Sequence, residues 1–160
     1  MSWDAVGALA EIAGALAVIG SIIYLALQIR ENTISNRITA NQNTTDQYAA
    51  FTNLLLLNDD LRSIWRRGRS DIAQLNVDER ERFYYLNMNL SWYYSSQHFQ
   101  YRAGAIDEVE WAQSLGLIRN SWLAHEGVRT WWQEDMDRAR LTVPFVELIE
   151  KELADLTAAR

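Results

Sequence analysis

The chain has no cysteine, one proline, one lysine and two histidines in 160 residues. Without cysteine there is no disulfide framework, thiol nucleophile, thiolate zinc site or iron–sulfur ligand set. A single proline with only seven glycines argues against disorder and against a turn-rich β fold. The glycines, at 7, 14, 20, 68, 104, 116 and 127, form neither a phosphate loop nor a dinucleotide fingerprint, and no G-x-S-x-G elbow occurs. A net charge of −6 excludes the basic footprint of a nucleic-acid binder. What remains is a chain that is 49% hydrophobic, with seven Trp and seven Tyr, of a length for one mid-sized domain. Its composition predicts an all-α protein.

A mean hydropathy of −0.23 conceals an uneven distribution. No Lys or Arg precedes Arg30, and residues 1–29 carry only Asp4 and Glu11 as charged side chains. The uncharged run Ile12–Ile29, IAGALAVIGSIIYLALQI, spans about 27 Å as a helix, against a bilayer core of about 30 Å. Trp3 stands where an interfacial aromatic belongs. A cleaved signal peptide needs a basic start, whereas MSWDAVGALAE is acidic. The competing soluble reading is a buried core helix, since the run is short for a span and rich in Ala. Apolar residues around the whole circumference and the charge boundary at Arg30 predict a transmembrane helix over 1–30 in contact with membrane lipid. Arg30 and Arg37 at its C-terminal end put the N-terminus outside and the rest of the chain in the cytoplasm.

Gly7, Ala10, Gly14, Ala17 and Ser21 recur at spacings of three and four, one stripe of a helix. Small residues let helix backbones approach closely in lipid, where packing drives association. The stripe predicts a homo-oligomer or docking on a larger membrane complex; the competing account is that Ala and Gly are common in membrane spans. Glu11 projects from the edge of this stripe. It is either solvated among headgroups or turned toward a partner or cavity. In an oligomer Asp4 and Glu11 would line the entrance of a cation path continued by Ser21, Tyr24 and Gln28.

Residues 31–57 lack Gly and Pro and carry a sparse apolar line through Ile34, Ile38, Tyr48 and Leu55, which reads as a stalk or as the first helix of a bundle occupying 58–160. Asn58 and Asp59 predict a break and an N-cap before a short helix ended by Gly68, with 69–76 a connector. Asn76 with Glu79 makes a capping box for a helix over 77–103. That helix is apolar on two faces, one through Phe83, Leu86, Leu90, Tyr93, Tyr94 and Tyr101, the other through Tyr85, Met88, Trp92 and Phe99, so contact on two sides is expected. Gly104 fits its C-terminal cap, and Asp107 with Glu110 opens a helix over 108–125 whose stripe is Trp111, Leu115, Ile118, Trp122 and His125. A short helix follows Gly127, and Val143–Pro144 opens the last one, to about residue 157.

The set formed by YLALQIREN at the end of the apolar segment, LNDDLRSIWRRG, the aromatic helix running into QYRAGAIDEVEW, and GVRTWWQE resembles a widespread group of uncharacterised bacterial proteins. The resemblance covers most of the chain. It implies a bacterial inner-membrane anchor followed by a cytoplasmic helical bundle, and it brings no activity and no catalytic residue with it.

Chemistry-bearing side chains are few. His98 lies at the edge of the first apolar face and His125 closes the Trp111–Trp122 stripe, positions typical of packed, hydrogen-bonded histidines. A metal site needs three or four converging ligands, and the zinc-protease pattern begun by His125–Glu126 fails at Arg129. No catalytic residue, metal or cofactor is assigned. Arg62, Arg66, Arg67 and Arg69 form the basic patch, suited either to an anionic headgroup or acidic partner, or to pairing with acidic helix starts. An unbroken helix from Arg30 to Leu57 would hold that patch about 40 Å from lipid. The reading is therefore a non-enzymatic, single-pass membrane protein carrying a helical interaction module. The alternatives are a homo-oligomeric cation channel and an accessory subunit of a larger membrane complex.

Overall fold

The structure, a computed structural model, describes residues 3–158, the side chains of residues 4–6, 8–10, 13, 36, 37, 40, 41 and 43 excepted. The expectations for the Asp4, Ala10 and Arg37 side chains lie outside the described residues. Among the described residues the chain is all helical, with no strand. It divides into two compact units, Met1–Thr39 and Ala40–Arg160.

The first helix, α1 (Trp3–Leu57), runs unbroken for 55 residues. No Pro interrupts it and its last Gly is Gly20, so nothing in the sequence opposes continuation. In the first unit every described side chain is exposed.

The second unit contains the C-terminal part of α1, α2 (Asp59–Ser70), α3 (Val77–Arg102), α4 (Glu108–Leu117), α5 (Glu126–Thr130) and α6 (Val143–Ala158). Short 3₁₀ segments at Ile72–Gln74 and Arg138–Arg140 connect α2 to α3 and lead into α6. Local chemistry sets most of these boundaries. The Asn76 side chain accepts from the Glu79 N–H while the Glu79 carboxylate accepts from the Asn76 N–H, and Asp107 with Glu110 repeats the arrangement at α4. Gly104, at φ +72°, turns the chain out of α3 in the left-handed conformation that favours glycine.

The break between α1 and α2 falls at Asn58 as expected but without the expected cap bond, and two other boundaries depart from the sequence reading. Asn58 has extended backbone, but its side-chain amide donates to the Leu54 carbonyl at 2.9 Å, closing α1 instead of capping α2. Gly68 does not end α2; it is buried two residues before the end, where backbone crosses backbone. A Cβ built on Gly127 of α5 would stand 1.7 Å from the Gly68 carbonyl oxygen, and one on Gly68 would stand 2.5 Å from the Phe83 ring. The helix expected over 108–125 is regular only to Leu117, then widens into a π turn over Ile118–Trp122. A second π turn, Trp131–Asp135, follows α5.

The two wide turns place the largest side chains of the core. Trp122, Trp131 and Trp132 are fully buried, with Trp122 6.1 Å from Trp132 and 5.4 Å from Tyr94, and Trp132 6.5 Å from Phe145. Burying one such ring contributes about 4–6 kcal/mol of transfer free energy before the cost of ordering it. A second aromatic chain ties the start of the unit together: Phe51 of α1 meets Trp65 of α2 edge-on at 5.5 Å, and Trp65 meets Phe83 of α3 at 5.7 Å.

Candidate functional site

The segment Gly14–Ser35 is long and apolar enough to cross a membrane, and none of it is buried. Two of its hydroxyls bond within the helix: Ser21 Oγ donates to the Ala17 carbonyl and Thr33 Oγ1 to the Ile29 carbonyl, both at 2.8 Å. Of the small-residue stripe, Gly7, Gly14, Ala17 and Ser21 are exposed, and a Cβ on Gly7 or Gly14 would meet nothing within 4 Å. Glu11, Tyr24 and Gln28 are exposed as well.

The basic patch is dispersed by its partners. Arg62 pairs with Asp59 one turn away. Arg67 forms a two-pronged bond to Glu79, at 2.6 and 3.2 Å, and also donates to the Gln74 carbonyl. Arg67 and the Asn76 N–H together hold the Glu79 carboxyl below the usual range, so this side chain both caps α3 and binds α2 to it. The Arg69 guanidinium lies over the Trp65 ring at 5.3 Å. Arg66 is exposed. The guanidiniums of Arg62, Arg67 and Arg69 serve different neighbours.

Polar groups inside the second unit are built into its packing. The Trp122 indole N–H donates to the buried Asn87 Oδ1 at 3.0 Å, and the Asn87 amide donates to the Phe83 carbonyl. Gln97 Nε2 donates to the Tyr93 hydroxyl at 2.6 Å and Gln97 Oε1 accepts from Ser114, joining α3 to α4. Glu152, on the buried face of α6, is gripped by Arg119 through two bonds, the Nη2 one at 2.7 Å. Arg80 of α3 holds Asp135 through bonds of 2.9 and 2.7 Å. The pairings between elements did not stand out in the sequence, because they link positions 17 to 55 residues apart.

His98 is half-buried, 5.2 Å from Trp111 and 6.1 Å from Phe145, and borders a cleft of about 410 Å³ with Phe99, Arg102, Thr142 and Pro144. His125 is half-buried at the start of α5. Among the described residues no three His, Asp or Glu side chains converge as a metal-binding group. Burial lowers the pKa of both histidines, aided by Arg102 at His98 and by Arg69 and Arg129 at His125. An unfolded histidine titrates near pH 6.5, so the unfolded chain takes up protons first on acidification. The stability these two neutral rings contribute is full above about pH 6.5 and is lost as the pH falls from there through the lower folded values. Urea midpoints should therefore fall between pH 7 and pH 5, less steeply in His98→Gln/His125→Gln. Equal slopes in the two proteins would count against this account.

One expectation about α3 is only half met. Of its second apolar face, Met88 is buried, while Tyr85, Trp92 and Phe99 are 58%, 52% and 66% exposed. They stand seven residues apart on one line of the helix. Beside them runs a groove of about 560 Å³ between α1 and α3, bordered by Gln47, Ala50 and Leu54 on one side and Asn89, Trp92 and Ser96 on the other. Comparison with family models, with curated proteins and with solved structures finds no match to this chain.

Proposed function

We propose that the chain is a single-pass bacterial inner-membrane protein, non-enzymatic, whose membrane helix self-associates and whose second unit is a cytoplasmic helical interaction module. The observation that carries this reading is the wholly unburied, apolar Gly14–Ser35 segment. Lipid is the solvent that such a surface suits, with every backbone polar group satisfied inside the helix. The open small-residue face at Gly7, Gly14, Ala17 and Ser21 supports close helix pairing. Arg30 at the end of the apolar run favours a cytoplasmic second unit.

The test is extraction followed by mass. Carbonate washing should leave the protein in the membrane pellet, and mild detergent should release it as a multiple of 18.5 kDa. Gly14→Leu should shift that mass toward the monomer. Release by carbonate would overturn the anchor, and a monomer in the wild type would overturn self-association.

A further inference from the structure

The surface of the second unit carries a pattern that its own fold does not consume. On α3 the line Tyr85, Asn89, Trp92, Ser96, Phe99 has alternating spacings of four and three, with Ser96 half-buried and the other four exposed. On α1 the line Gln47, Ala50, Leu54, Leu57 has spacings of three, four and three. Both are the 3.5-residue repeat by which a helix meets another helix lying alongside it. The groove places them next to one another.

Charge separates this region from the rest of the second unit. α3 has no charged residue from Phe83 to Tyr101, and α1 has none from Gln47 to Leu57, in a protein that is 22% charged with a net charge of −6. Two acidic molecules repel wherever like charges face each other, and in a twofold contact every patch meets its own equivalent. A face without formal charge can meet a copy of itself without that cost. Large aromatic residues alternate with small polar ones along α3, so bulky layers are separated by layers with room, and Asn89 can pair with its equivalent to set the register.

Area decides how much of the face must take part. The three exposed aromatics offer roughly 350 Å² of surface between them, whereas a stable interface takes about 800 Å² from each partner. The aromatic line is too small alone. The adjoining α1 line, where Leu54 and Leu57 are 41% and 83% exposed, supplies much of the difference.

We infer that a second copy of this chain docks on the paired α1 and α3 lines, forming a twofold contact with Asn89 and Ser96 facing their equivalents. The parallel arrangement rests on the membrane reading, because two copies anchored in one bilayer present their second units in the same direction.

The absence of native cysteine makes the test direct. Full-length Asn89→Cys and Ser96→Cys, in membranes under mild oxidation, should form disulfide dimers of twice the chain mass at least tenfold faster than Val109→Cys, an exposed position on α4. Adding Trp92→Glu to the Ser96→Cys chain should reduce cross-linking to the Val109→Cys level. Trp92 is half exposed, so the unit's melting temperature should stay within a few degrees of the parent, separating loss of docking from loss of fold. Cross-linking no faster than at Val109→Cys, or linkage to a different protein, overturns the inference. The membrane reading fails separately: carbonate release removes the anchor whatever the cysteines do. A detergent mass that remains a multiple of the chain while Asn89→Cys and Ser96→Cys stay unlinked removes this face and leaves pairing through the membrane helix.

Discussion

Gly127→Ala should lower the stability of the second unit by about 3 kcal/mol or more, the upper part of the range for overpacking. The new methyl would lie 1.7 Å from the Gly68 carbonyl oxygen, with the Gly68 carbonyl carbon at 2.9 Å, so no rotation of a side chain can relieve it. Backbone must move away from backbone, and α2 and α5 are held close on both sides of the crossing. On α2, Gly68 sits against Phe83 and Trp65 packs on the same ring. On α5, Val128 is fully buried beside Gly127. Gly116→Ala is the matched control, since a Cβ there meets nothing within 4 Å. Removing a mid-helix glycine should stabilise by about 0.5–1 kcal/mol. Urea unfolding followed by tryptophan fluorescence measures both. Equal effects in the two variants would show that the crossing is looser than the Gly68–Gly127 geometry requires.

Arg119→Ala should cost about 3 kcal/mol, near the lower end for breaking a buried ion pair. The asymmetry of the pair sets that figure. The Glu152 side chain is only 3% exposed, whereas Arg119 is 45% exposed. Truncating the arginine leaves a carboxylate among Ile149, Leu153 and the surrounding core with its two-pronged partner gone. Water entering from the open Arg119 side softens the loss. The double variant Arg119→Ala/Glu152→Leu should recover most of the stability, because an apolar side chain at 152 suits the buried face of α6. Thermal melts of the single and double variants give the comparison. A double variant no more stable than Arg119→Ala would mean that the lost arginine packing, not the stranded charge, carries the cost.

Helix starts were legible in the sequence wherever the signal is carried within one turn. Asn76 with Glu79, Asp107 with Glu110, and Pro144 in the first turn of α6 each mark a boundary by bonds or backbone limits that involve no distant residue. The Phe83, Leu86, Leu90 line was legible for a similar reason, since helical spacing alone brings those side chains to one face. Gly68 misled because a glycine near the end of a helix pattern is most simply a stop, and the reason for this one lies 59 positions away, at Gly127. Tyr85, Trp92 and Phe99 misled in another way. Spacing shows that three large rings share a line, but it does not show whether anything in the same chain covers them.

The sequence by itself determined the helical class, the positions of the capping boxes and the division between a first 29 residues with only Asp4 and Glu11 charged and a charged remainder. Those properties depend on composition and on interactions between residues a turn apart. Tertiary structure alone decided which arginine meets which carboxylate, that two glycines let α2 and α5 cross in contact, and that three of the four residues on one apolar face of α3 stay in solvent. Each of these needs two distant segments to occupy one place. Chain connectivity does not specify that coincidence; it arises only when the core closes around Trp122, Trp131 and Trp132.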